Sequence, residues 1–177
     1  MFCQAAFDPW VTTIRQHLSP LRKPPATVLA LWSFGMVLAR SGALSAVSHL
    51  LAEGMQRHEP TVRQRLREWS YEAPRHRGTT RQELRGETCC PLVVGWVVRW
   101  GQGTQLALAI AATPLGQRCG VLAISVVDRG GALPVAWVSR LAGAKHAWRR
   151  EGLRLVRQLR PALPPGWTVS GLAARGV

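Results

Sequence analysis

The sequence predicts an α/β protein whose front half is helical and whose back half is built around a sheet. Three short apolar runs, at residues 106–114, 119–127 and 132–137, are separated by turn-forming residues, which is typical of consecutive β-strands. The residues Asp128-Arg-Gly-Gly131 between the second and third runs predict a hairpin. Because the runs are almost continuously apolar, we expect strands buried on both faces and covered by helices.

The composition predicts a basic chain with enough apolar residues to fold. With 177 residues and 47% hydrophobic residues, one or two domains are expected. Lys and Arg number 23 against 9 Asp and Glu, which gives a net charge of +14, and only Lys23 and Lys145 are lysines. This balance favours a polyanionic partner, with nucleic acid ahead of an anionic membrane. The alternative is a set of solvated basic faces in a protein from an arginine-rich proteome.

The sequence shows no pattern typical of a metal site, a redox motif, a membrane span or a secretory signal. Cys3, Cys89, Cys90 and Cys119 form no C-x-x-C pair, and the five histidines are isolated, so no metal site or redox motif is expected. Cys119 lies inside a predicted strand, where we expect a small buried residue. No apolar stretch has the length of a membrane span, and no secretory signal is visible. A cytoplasmic protein that does not contact a membrane is therefore expected.

Apolar periodicity predicts several helices in the front half. They are expected at residues 27–40, 44–52 and 60–69, after a first helix that ends before Pro20. We expect residues 21–25 to be a linker, because two prolines there oppose helix continuation. Glu53 and Gly54 are expected to end the helix at residues 44–52.

The helix at residues 60–69 carries Arg63, Arg65 and Arg67 outside its apolar stripe. Two short helices followed by an arginine-rich third helix resemble a helix-turn-helix element. In that interpretation the arginines contact phosphates or guanine edges of DNA. In the other interpretation they form a solvated face that is partly balanced by Glu68 and Glu72. The sequence leaves both interpretations open.

A basic segment follows the arginine-rich helix. Arg75, Arg77 and Arg81 would track a DNA backbone if residues 71–85 form an arm, whereas the alternative is a flexible hinge. We therefore divide the chain into a helical DNA-binding region with a basic linker, residues 1–86, and a second domain, residues 87–177.

The second domain is predicted to contain more than the three strands. Helices are expected at residues 88–100 and 145–160, and a fourth strand at residues 167–173. In the long helix Val156 is expected to face the sheet. Three strands, a crossover helix and a fourth strand parallel to the first are how a ribonuclease-H-like domain begins.

Five stretches of the chain resemble DDE transposases of bacterial insertion sequences. They are Leu29-Ala-Leu-Trp-Ser-Phe-Gly-Met-Val-Leu-Ala-Arg40, Thr61-Val-Arg-Gln-Arg-Leu-Arg-Glu-Trp69, Val121-Leu-Ala-Ile-Ser-Val-Val127, Pro134-Val-Ala-Trp137 and Pro164-Pro-Gly-Trp-Thr-Val169. The similarity extends from about residue 21 to the last residue. It implies a helical DNA-binding region followed by a ribonuclease-H-like catalytic domain. In intact relatives, three carboxylates hold two Mg²⁺ ions that activate a water or a 3′-hydroxyl against phosphodiester bonds.

The chain departs from the family pattern at the catalytic positions. The family's first strand ends in Asp-Ala-Thr, but the matching run here is Ala111-Ala-Thr-Pro-Leu-Gly116, so Ala111 stands where the first aspartate belongs. The fourth strand of the family ends in Ala-Asp-Arg-Gly, but here it is Ala173-Ala-Arg-Gly176, which places Ala174 at the second aspartate. The family's third acid lies in a later helix that this sequence does not reach. We therefore expect an N-terminal fragment without intact catalytic residues.

The carboxylates of the back half support the same expectation without the family. After Glu87 only Asp128 and Glu151 remain, one in a hairpin and one on a helix, and a methyl group cannot bind magnesium. Neither cleavage nor strand transfer is expected, even if both alanines were changed to aspartate, and no cofactor is expected. The interpretation is an inactive transposase fragment that still binds DNA at transposon ends, as a homo-oligomer or in mixed assembly with an intact transposase. The alternatives are a selected DNA-binding regulator and a decayed remnant without a role.

Overall fold

The protein is α/β, as predicted, with helices first and a sheet after them. The computed structural model describes residues 4–69, 86–101, 103–128, 130–141 and 148–173. The chain divides into two compact units, Met1–Leu84 and Arg85–Val177. The sequence predicts the boundary between the two regions after residue 86, and the two units divide after Leu84.

The described part of the first unit contains four helices. They are α1 (Gln4–His17), α2 (Lys23–Ala39), α3 (Leu44–Met55) and α4 (Glu59–Trp69). The expected linker is wrong in its second half, because α2 begins at Lys23 and both prolines lie in its first turn. A proline there is tolerated, since the first N–H groups of a helix have no partner within it. Gly54 does not stop α3, which continues to Met55 and is followed by Gln56, a residue in the left-handed conformation with φ 51°.

Helix α2 packs through small side chains. Ala26, Ala30 and Gly35 are buried, whereas the larger Met36 is 42% exposed. A Cβ atom on Gly35 would lie 2.7 Å from Cγ1 of Val47 on α3, closer than ordinary contacts allow. The close approach of the two helices therefore determines which face of α2 is buried, and periodicity of large apolar residues does not reveal it.

None of the described helices is both long and apolar enough to cross a bilayer by itself. Only α2 and α3 taken together reach that length, and they are bent by 97° at the break between them. Both helices bury residues inside the first unit, including Leu31 on α2 and Leu51 on α3.

The second unit contains two further α-helices and a sheet. Its elements are α5 (Gly86–Trp100), β1 (Gln105–Leu115), β2 (Cys119–Asp128), β3 (Gly131–Leu141), α6 (Trp148–Leu159), a 3-10 turn (Arg160–Ala162) and β4 (Thr168–Ala173). The predicted hairpin is confirmed, since Asp128 pairs with Gly131. The strand order is β3-β2-β1-β4, with antiparallel pairing except between β1 and β4. The predicted parallel pairing of the first and fourth strands is therefore also confirmed.

The core of the second unit lies on one face of the sheet. Helices α5 and α6 pack there against β1, β2 and β3, with Leu122 and Ile124 of β2 fully buried. The opposite face exposes large apolar side chains such as Trp137 and Leu172, at 59% and 65%. The expectation of strands buried on both faces is therefore wrong. It failed because Ala and Val on the open face raise the apolar content without requiring burial.

Two smaller expectations for this unit are also corrected. Val156 of α6 is 38% exposed and does not face the sheet. The buried side of α6 instead includes Glu151. Cys119 is half-buried, because it begins β2 on the open face opposite Leu115. In both cases position relative to the sheet decides burial, and residue type alone does not.

Candidate nucleic-acid interface

Helix α4, which carries three of the predicted DNA-binding arginines, is held firmly on the first unit. Its buried residues are Val62 and Leu66, at 7% and 0% exposure. The indole Nε1 of Trp32 on α2 donates a hydrogen bond of 3.1 Å to the carbonyl oxygen of Leu66. The backbone that presents the arginines is therefore fixed by packing and by a bond to a neighbouring helix.

The three arginines of α4 are exposed but do not form one face. Residues on an α-helix are separated by about 100°, so Arg63 and Arg67 lie on one side of the buried stripe. Arg65, two positions from each, lies on the other side. A single phosphate row along α4 would therefore not meet all three guanidinium groups.

The two sides differ in their surroundings. Arg67 donates a hydrogen bond of 2.7 Å to Oε1 of Gln64, and Gln64 donates one of 2.7 Å to Oε1 of Glu68. Within the described residues, no carboxylate lies within ion-pair distance of Arg63 or Arg65. These two guanidinium groups are therefore the freest positive charges on α4.

A cavity of about 340 Å³ opens beside Arg65. Its polar lining includes Arg57, His58 and Thr61, which precede or begin α4. The sequence interpretation did not include Arg57 or His58. A signal was present, because two basic residues stand immediately before the helix that carries the other arginines. Arg75, Arg77 and Arg81, the predicted basic arm, lie outside the described residues.

The position of the first expected catalytic aspartate lies on an inner strand. Ala111 is exposed on β1, and its cross-strand row continues through Ala123 on β2 to Trp137 on β3. On its other side β1 pairs with β4, and the last described pair is Ile110 with Ala173. Ala174 itself lies outside the described residues. The described neighbours of Ala111 in this row offer no side-chain oxygen to a metal ion.

The described acidic residues of the second unit are placed elsewhere. Glu151 on α6 is bonded to Arg140 of β3 and lies 3.0 Å from Nε of Arg154, while Glu87 on α5 lies 3.1 Å from Nη1 of Arg154. The hydrogen bond from Arg140 holds the pKa of Glu151 below its usual range. No group of three or more His, Cys, Asp or Glu side chains that could hold a metal ion occurs in the part of the chain that the structure describes. Glu151 therefore joins α6 to β3, and Glu87 joins α5 to α6.

Comparison with known proteins found no matching family model, no matching curated protein and no matching solved structure.

Proposed function

We propose that this protein is a member of the transposase family that has lost its catalytic carboxylates and binds DNA through its helical unit. The sequence resemblance to DDE transposases supports the family. The fold of the second unit supports it independently, because three antiparallel strands are followed by α6 and by a strand parallel to the first. That order is the one the resemblance predicts for the beginning of a ribonuclease-H-like domain.

The proposed loss of activity follows from the chemistry of magnesium. A two-metal site needs several carboxylate or water oxygens to bind and orient Mg²⁺. Ala111 presents a methyl group at the position where the resemblance expects the first aspartate, and Ala174 does so at the second. The side chains next to Ala111 in its row, those of Ala123 and Trp137, do not replace the lost ligands. Neither phosphodiester cleavage nor strand transfer is expected of such a site.

One observation carries the DNA-binding part of the proposal. Arg63 and Arg65 are exposed on an anchored helix without a described carboxylate partner, in a chain of net charge +14. Guanidinium groups of this kind favour phosphate oxygens, which they can bind through two parallel hydrogen bonds.

A salt titration of duplex binding tests this proposal. The full chain is titrated against a labelled duplex of about 30 base pairs at several salt concentrations. We expect the logarithm of the affinity to fall linearly with the logarithm of the salt concentration, and Arg63→Gln to reduce the slope by about 1. Arg118→Gln, an exposed arginine in the turn between β1 and β2, is the matched control and should leave the slope unchanged. A flat salt dependence, or an equal effect of both variants, contradicts the proposal.

A second candidate function is inhibition of an intact transposase by mixed assembly. It is favoured by β4, which forms an edge of the described sheet and has every residue exposed. An exposed edge strand that carries an exposed apolar side chain, Leu172 at 65%, is a surface that pairs readily with another chain. Adding the protein to an active transposase of the family it resembles should then reduce strand transfer. A Leu172→Lys variant should inhibit less at equal DNA affinity.

A further inference from the structure

The cavity beside Arg65 has an apolar floor that is fixed in place. Phe7, Leu31 and Val62 line it and are 6%, 5% and 7% exposed. The ring of Phe7 packs against that of Phe34 on α2, with centroids 5.6 Å apart and planes tilted by 60°. A volume of about 340 Å³ lies within the range of pockets that hold small ligands.

The rim of the cavity is positively charged. Arg57 and Arg65 contribute guanidinium groups and Thr61 a hydroxyl, and no acidic residue occurs in the described lining. Glu59, the acid nearest in sequence, accepts a hydrogen bond of 3.1 Å from Nδ1 of His49 on α3. The site is therefore complementary to an anion that also has an apolar body.

The start of α4 does not itself supply free donors to such an anion. The backbone N–H groups of Thr61 and Val62 both donate to the carbonyl oxygen of His58, at 3.1 and 3.2 Å. Residue 60 is a proline and has no N–H. Recognition of an anion at this cavity therefore depends on the side chains of Arg57, Arg65 and Thr61.

We infer that the cavity binds a single nucleotide unit of a DNA strand. The phosphate lies against Arg57 and Arg65, and the base enters the cavity and contacts Phe7, Leu31 and Val62. A nucleotide combines the two properties that the site requires, a phosphate for charge-assisted bonds and a flat apolar face for contact with apolar side chains. This inference rests on the proposed DNA binding and makes it specific, since only an unpaired or displaced nucleotide presents its base in this way.

Titration with different ligands distinguishes binding of phosphate alone from binding of a nucleotide. The full chain is titrated calorimetrically with inorganic phosphate and with deoxyadenosine 5′-monophosphate, and by anisotropy with a labelled single strand and a closed hairpin duplex. We expect the mononucleotide to bind at least about tenfold more tightly than inorganic phosphate, because the base adds contact with the floor. We also expect the mononucleotide to compete with the single strand.

Matched variants locate the binding. Arg57→Gln and Arg65→Gln should each weaken mononucleotide binding about tenfold, since each removes a charge-assisted contact. Arg15→Gln is the control, because it removes the same charge from an exposed position two turns beyond Phe7 on α1. Thr61→Trp should block the cavity without a change in charge. Thermal melting of each variant shows whether it remains folded.

The outcomes distinguish this inference from the proposed function. Steep salt dependence on the duplex without mononucleotide binding overturns the cavity site and leaves DNA binding standing. Equal losses in Arg15→Gln and Arg65→Gln, or mononucleotide binding that does not compete with the single strand, also overturn the inference. Mononucleotide binding without salt-dependent binding of the duplex supports the cavity and removes the proposed duplex binding.

Discussion

Arg140 on β3 donates a hydrogen bond to Oε1 of Glu151 on α6, whose side chain is only 7% exposed. Arg154 lies beside the other oxygen of the same carboxylate and also binds Glu87 of α5. Two helices and an edge strand are thus joined through one nearly buried acid. Because a buried charge is costly to leave unpaired, we expect this network to matter for the stability of the second unit.

Removing Arg140 should destabilise the protein. Arg140→Gln leaves the carboxylate of Glu151 with Arg154 alone, and we expect the free energy of unfolding to fall by about 2 kcal/mol. Arg157→Gln on the same helix, at an exposed position, should change it by less than about 0.5 kcal/mol. Urea unfolding followed by tryptophan fluorescence measures both, and similar losses in the two variants would contradict the role of the network.

The same carboxylate should make stability depend on acid pH. The hydrogen bond from Arg140 lowers the pKa of Glu151 in the folded state, so its stabilising effect is present above the ordinary carboxyl value. The effect is lost as the pH falls from that value through the lower folded pKa. The urea midpoint should therefore fall across this acidic window in the wild type and less steeply in Glu151→Gln. Parallel curves for the two proteins would rule out Glu151 as the titrating group.

The contact between His49 on α3 and Glu59 on α4 should titrate in the opposite sense. The hydrogen bond and the charge of Glu59 raise the pKa of His49, so the pair is favoured below the ordinary histidine value and is lost as the pH rises through the folded pKa. We expect Glu59→Gln to lower the His49 midpoint in an NMR titration. Because His49 is exposed, little change in overall stability is expected. An unchanged midpoint would show that the two side chains do not interact in solution.

Two glycine-to-alanine changes should act in opposite directions. An added methyl group on Gly35 would meet Cγ1 of Val47 at 2.7 Å and Cδ1 of Leu51 at 2.8 Å, and both residues are fully buried. We expect overpacking to exceed the gain in helix propensity, with a net loss of about 1–2 kcal/mol. On α5, Gly95→Ala meets nothing within 4 Å and should stabilise the protein by up to about 1 kcal/mol. Thermal melts of the two variants decide the matter, and stabilisation by Gly35→Ala would show that α2 and α3 pack less closely.

The Ala111 position should tolerate a carboxylate without gaining a reaction. Ala111→Asp adds an oxygen ligand at an exposed position of β1, but no described acid lies in its cross-strand row. One carboxylate binds Mg²⁺ weakly, so calorimetry should detect no binding below the millimolar range and DNA should remain intact. The wild type should likewise not cleave DNA when Mg²⁺ is added. Metal-dependent cleavage by either protein would refute the proposed loss of activity.

The sequence was sufficient for the elements and their order because these depend on local signals. Apolar runs bounded by turn residues located the strands, and the Asp128–Gly131 hairpin followed from its own four residues. Which face of each element is buried depends on residues distant in the chain and was harder to predict from the sequence. Gly35 is buried because Val47 and Leu51 lie against it, and nothing in the spacing of α2 indicates this.

In the candidate interface, too, local features could be predicted from the sequence and features that depend on packing could not. Exposure of Arg63, Arg65 and Arg67 was expected from the stripe of α4 and is observed. Their separation onto two sides also follows from helical geometry, although the sequence interpretation treated them as one group. The grouping of Arg65 with Arg57 around a cavity requires the packing of α1, α2 and α4 and could not be derived from spacing.

The pairing of β4 with β1 has a consequence for synthesis on the ribosome. Strands β1, β2 and β3 leave the exit tunnel in succession and can form their hairpins at once. The pairing of Gln105 on β1 with Thr168 on β4 can form only after β4 has been synthesised. During that interval β1 is paired with β2 on one side only, and its other edge is unpaired. A chaperone that captures extended apolar segments would therefore meet its substrate at β1, and slow translation through α6 would prolong that exposure.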